Sequence, residues 1–224
     1  MARRLPDKFL KWAYFDRVRF IKSILDAENT DRAMFLIEST RHSPALCTAR
    51  IKNNKIDLNA KIVGAGFVPK QVFLEDAVRE LETHVEAGGL MTAREYAKNG
   101  LQILLRHLYF ENEEEADRRV DFTKIATLEI GVKIAGSSKH TWENVQSHRR
   151  AVMLYYMPPN TSFEVRGELD VFTRGNYFKF VNLAHDAFHY TPSEKRVLKP
   201  CYILNVEEVY DNSATEEGFG RLLE

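Results

Sequence analysis

The chain has 224 residues, 44% of them hydrophobic and 29% charged, which is enough to bury a full core in one domain and too apolar for extended disorder. Thirty-two basic residues balance thirty-two acidic ones, and this removes the concentrated basic surface on which a dedicated nucleic-acid binder depends. No apolar run approaches bilayer-spanning length and the first residues, MARRLPDKFLKW, lack the apolar core of a signal peptide, so the expectation is a cytoplasmic protein without membrane contact.

Residues 7–27 read as an amphipathic helix, because Tyr14, Val18, Ile21 and Leu25 recur at helical spacing behind Pro6. Its many basic residues read as a solvated outer face. From 31 to 63 the pattern is that of strands, AMFLIEST, ALCTARI and KIDLNAKIV, joined by Arg41-His42-Ser43-Pro44 and by Asn53-Asn54, a pair suited to a tight hairpin. A three-stranded meander is expected there. Cys47 on the second of these strands and Cys201 far downstream have no partner at metal-ligand spacing, and read as buried free thiols of a reducing compartment.

Helical periodicity returns over 69–110. Leu74, Ala77, Val78, Leu81 and Val85 form one stripe, Gly88-Gly89 breaks it, and Thr92 with Glu95 makes a capping box before the stripe Ala97, Leu101, Leu104, Leu108. This predicts a helical hairpin, followed by an exposed acidic connector from Glu111 to Asp117. Strands are expected at 121–130, 150–157, 162–173 and 201–210, with helices at 137–148 and 177–189 and a turn at Pro158-Pro159-Asn160. About seven strands with short links point to an α+β, mainly β fold: an antiparallel split β-barrel in a single domain, with flanking helices and a helical insertion over 64–120.

Two local patterns carry chemistry. Ser137, Ser138, Lys139 and Thr141 stand at a helix start, where unpaired N–H groups and the positive end of the dipole suit a phosphate; plain capping is the alternative. His185 and His189 share a helical face, but the glutamate of the H-E-x-x-H zinc motif is absent, so the pair reads as packing or capping and no metal is expected.

Three segments together resemble the FMN-binding split-barrel superfamily typified by pyridoxamine 5′-phosphate oxidases. Thr141-Trp142-Glu143-Asn144-Val145 through Arg150-Ala151-Val152 is similar to the family's phosphate-side helix and following strand. Ser162-Phe163-Glu164-Val165-Arg166-Gly167 is similar to its aromatic-x-Val-x-Gly strand, and Val206-Glu207-Glu208-Val209-Tyr210-Asp211 with Gly218 to its closing strand. The family's Asn-Pro is His148-Arg149 here. The resemblance implies an FMN whose phosphate meets Ser137, Ser138, Lys139 and Thr141, with Arg166 or Arg149 as a second cation. It further implies a ring slot furnished by Trp142, Tyr155, Tyr156 and Phe163, with Asn144 among the cofactor residues. It also implies a homodimer closing that slot, and an oxidoreductase of unassigned substrate for which no catalytic residue is nominated. A split barrel using haem or a deazaflavin, and a non-enzymatic one that binds a ligand or partner, stand as alternatives.

Overall fold

The computed structural model describes residues 2–26, 32–130 and 139–224. The chain opens with α1 (Asp7–Leu10), a π-helical turn (Lys11–Phe15) and α2 (Asp16–Asp26), which together make the expected N-terminal helix. There follow α3 (Arg32–Thr40), β1 (Ala45–Lys52), β2 (Lys55–Ile62) and the two-residue β3 (Ala65–Gly66). The helical insertion holds α4 (Gln71–Ala87), α5 (Ala93–His107) and α6 (Glu113–Arg119). Then come β4 (Lys124–Leu128), α7 (His140–Ser147), β5 (Arg150–Met157), β6 (Thr161–Phe172), α8 (Asn176–Asp186), β7 (Cys201–Asp211) and β8 (Arg221–Leu223).

The strands form one antiparallel sheet in the order β2-β1-β5-β6-β7-β4-β3, with β8 added to β7, and it curls into a half-barrel flanked by helices. β7 carries the closure. It pairs with β6 along its length on one side, and on the other with β4 over its first half and β8 over its last three residues. Asn53 and Asn54 take positive φ of 51° and 61° and join β1 to β2 as a tight hairpin.

The expected meander loses its first strand, because AMFLIEST folds as α3. Its apolar residues form a continuous run without alternation, and such a run fits either state; Ala, Met, Leu and Glu favour the helix. The acidic run after residue 111 is likewise a helix, α6, where Asn112 caps the start by accepting from the Glu115 N–H at 2.8 Å. Three glutamates in its first turn and two arginines in its last match the helix dipole. β3 and β8 are too short to leave a periodic signal. Cys201 is buried, and burial pushes its thiol up to about 12, whereas Cys47 is only half-buried.

The concave face is filled by the N-terminal helix. Phe9 meets Tyr155 and Phe163 edge-on at 5.3 and 5.4 Å, and Trp12 lies 5.1 Å from Phe163. Trp12, Ala13 and Tyr14 are buried in succession, since this segment is enclosed between the sheet and the helical insertion and not exposed along one side. Tyr14 ties the layers together. Its hydroxyl donates to the Leu108 carbonyl at 2.7 Å and accepts from the Phe110 N–H at 2.8 Å, and its ring packs edge-on against Phe67 and Phe122. The insertion forms as its pattern predicts. The Thr92–Glu95 capping box is in place, the α4 stripe is buried, and α5 closes on the end of α8 at Gly100, where an added Cβ would fall 2.2 Å from the Ala187 carbonyl oxygen.

Tyr14→Phe removes one hydroxyl and leaves both Leu108 C=O and Phe110 N–H unpaired in the core, so it should lower stability by about 1–3 kcal/mol in urea unfolding. An unchanged midpoint would mean that this bridge does not hold the insertion to the barrel.

Candidate functional site

The β1–β5 ladder is short. It runs from Ala45↔Leu154 to Thr48↔Ala151, after which β1 continues with β2 alone and Arg150 of β5 pairs only with Glu168 of β6. Where the strands part, a cavity of about 720 Å³ opens on the convex face. Directly paired residues share a face of a sheet, and the pairs Cys47↔Ala60, Ala49↔Leu58, Cys47↔Val152 and Val152↔Arg166 therefore put one set of side chains around this opening. Small and apolar residues (Cys47, Ala49, Ala60, Val152) make the floor and Leu58 one wall. His148, Arg150 and Arg166 bring basic side chains to one end.

Both guanidinium groups are engaged. Arg150 pairs with Glu207 at 2.9 Å, while Arg166 pairs with Glu164, lies 3.7 Å from Glu208 and sits over the Tyr210 ring at 4.5 Å. Burial, with the charge of Glu164 nearby, raises the Cys47 thiol above its ordinary value, so it stays protonated at neutral pH and is a poor nucleophile.

α7 stands on the other side of the hairpin. Thr48 and Asn59 border the cavity yet turn their side chains to this helix: Asn59 Nδ2 donates to Thr141 Oγ1 at 2.7 Å, and Asn144 Nδ2 donates to Thr48 Oγ1 at 3.2 Å. Arg50 adds an ion pair to Glu143 at 2.6 Å. Thr141 and Asn144 are thus buried as docking residues, and Asn144 Oδ1 has no hydrogen-bond partner among the described residues. Trp142 packs half-buried against the core, and Lys139 is exposed at the helix start. Ser137 and Ser138 lie outside the described residues.

Arg166 is not brought together with that helix start. It projects from the convex face, whereas α7 docks on the opposite one, and the cavity meets α7 only at His148, just past its last turn. Eight residues of α-helix separate Lys139 from His148, about 12 Å. The other cation considered, Arg149, reaches Asp170 at 3.4 Å. Tyr155 and Phe163 belong to the core beneath the N-terminal helix, not to a ring slot, and Tyr156 is exposed. The rings of His185 and His189 lie 5.1 Å apart, His185 Nδ1 meets Asp186 Oδ1 at 3.0 Å, and no group of three potential metal ligands occurs among the described residues.

Arg150 and the floor residues Cys47, Ala49, Ala60 and Val152 carry no motif that marks them as a site in the sequence. The alternation Ile56, Leu58, Ala60, Ile62 was visible, but a period of two does not say which face meets the core.

No family model matches the chain, and no curated protein is similar to it at a significant level. Among solved structures it is similar to the HupZ protein of Group A Streptococcus, with 8% identity and a TM-score of 0.42 over 88% of this chain and 100% of that one. It is also similar to a Listeria innocua protein described as a pyridoxamine 5′-phosphate oxidase, with 7% identity and a TM-score of 0.39 over 80% and 94%. A third is an FMN-binding protein of Syntrophomonas wolfei, with 14% identity and a TM-score of 0.41 over 90% and 97%. At such identities the likeness is silent about chemistry, which rests on the residues themselves.

Thr48→Val keeps the shape of the side chain but removes the acceptor of Asn144, leaving both ends of a buried amide unpaired. The variant should lose about 1–3 kcal/mol of stability and show faster hydrogen exchange across 140–147 than the parent. Unaltered exchange there would show that α7 is held by its apolar contacts alone.

Proposed function

We propose that the chain is an FMN-binding protein of the pyridoxamine 5′-phosphate oxidase-like type, an oxidoreductase that holds its flavin in the convex cavity. One observation carries this reading: a cavity of about 720 Å³ that joins an apolar floor to a cluster of His148, Arg150 and Arg166. The volume lies within the range usual for cofactor sites, roughly 300–1,000 Å³. The donor set fits the group. A phosphate takes charge-assisted hydrogen bonds from guanidinium and imidazole, and an isoalloxazine ring asks for a flat apolar bed such as Cys47, Ala49, Ala60 and Val152 provide. When bound, FMN supplies hydride and single-electron chemistry. The chain's own residues would hold it, His148, Arg150 and Arg166 at the phosphate and Cys47, Ala49, Ala60 and Val152 at the ring, with Leu58 excluding water from one side.

The same face argues for a second copy of the chain. Ile51, Ile56, Leu58 and Ile62 are 70–78% exposed beside the cavity, and a twofold contact would bury them while roofing the bound flavin. Cofactor and dimer then form one thermodynamic unit, each stabilising the other.

The purified protein should be yellow, or become so on adding FMN; a protein that stays colourless favours the non-enzymatic binding barrel. Arg150→Met should weaken FMN binding about tenfold or more, through loss of a charge-assisted bond, and Lys139→Glu should leave it within about twofold. The reverse ranking would put the phosphate at the start of α7, as the sequence reading expects. For the dimer, Leu58→Asp places a carboxylate in the contact, and should sediment as a monomer with little retained flavin. A Leu58→Asp protein that remains dimeric would exclude this face as the interface.

A further inference from the structure

β6 and β7 fall out of register at one point: Arg166 pairs with Glu208 but Gly167 pairs with Val206. Glu207 is therefore the extra residue of a β-bulge. In a regular strand Glu207 and Glu208 would point to opposite faces; a bulge re-aims one of them and sets two successive side chains toward the same face. The result is visible in the ion pairs, since Glu207 meets Arg150 at 2.9 Å and Glu208 lies 3.7 Å from Arg166. Gly167 is part of the device, because a Cβ there would fall 2.0 Å from the Asn205 carbonyl oxygen.

Both guanidinium groups at this end of the cavity thus already face carboxylates. Glu164 and Glu208 are themselves braced, Glu164 by Asn212 Nδ2 at 3.1 Å and Glu208 by the Tyr210 hydroxyl at 3.1 Å. Three carboxylates surround two arginines. An incoming phosphate must share or displace these partners, whereas the ring and ribityl chain of a flavin meet no such competition.

Building on the flavin reading above, we propose that Glu207 and Glu208, delivered by the bulge, set how far this cavity prefers phosphorylated over unphosphorylated flavin. They are specificity-determining residues that act through Arg150 and Arg166. Their effect is to keep the preference for FMN over riboflavin small.

The test is fluorescence-quenching titration of the full chain with FMN and with riboflavin, for the parent, Glu207→Gln and Glu208→Gln. Glutamine keeps the length of the side chain and a hydrogen-bond acceptor for arginine, and circular dichroism checks that each variant folds. Each substitution should tighten FMN binding about three- to fivefold, as expected for relieving one partly exposed charge pair, with riboflavin unchanged within about twofold. Equal tightening of both flavins, or FMN affinity that stays level or falls in both variants, would overturn the proposal. If no variant binds either flavin, the flavin reading itself fails, and inorganic phosphate followed by ³¹P line broadening takes over as the probe. Tighter phosphate binding in the glutamine variants would then still support the carboxylate competition, and unchanged binding would refute it.

Discussion

A half-closed sheet has a concave face that must be filled, and in this protein the chain fills it with its own N-terminal helix. Phe9 and Trp12 occupy the space over Tyr155 and Phe163, so the interior holds a packed aromatic core in place of a ligand chamber. Tyr14 fastens that helix to the insertion by a hydroxyl that serves as donor and acceptor at once. With the inside spent on packing, open space is left on the convex face. A cavity opens there because β1 follows β2 beyond Thr48 while Arg150 pairs only with β6.

The helix α7 shows how one set of residues serves two readings. Hydroxyl and amide side chains at a helix start suit an anion, and they equally suit docking onto the polar side of a hairpin. Thr141 and Asn144 do the second, each bonded to a side chain of β1 or β2. Because Thr48 and Asn59 also border the cavity, the docking of α7 holds the back of the cavity in place. The helix thereby bears on the site through its position.

At the cavity, as over the whole chain, basic side chains are met by acidic ones. Thirty-two positive charges balance thirty-two negative ones overall, and locally the arginines at the opening are met by glutamates from β6 and β7. Such pairs at half-exposed positions contribute little to stability. Two of them are placed by a bulge that also demands glycine at 167.

Much of this architecture is legible in the order of the residues. Period-two and period-3.6 patterns depend on local geometry, and they located the insertion helices, the capping box at Thr92 and Glu95, and most of the longer strands. They failed at AMFLIEST, where a short apolar run carries no period, and at β3 and β8, which are two and three residues long and too short to show one. The candidate site was legible only in part. Arg166 and the strand that bears it could be read, but whether it faced α7 or the opposite side depends on register, and register is set by pairs far apart in sequence. The parting of β1 from β5, the bulge at Glu207 and the commitment of Tyr155 and Phe163 to the core are likewise properties of the assembled sheet. Alternation alone states that a strand has two faces; only packing against the N-terminal helix decided which face was buried and which was left open to form the cavity.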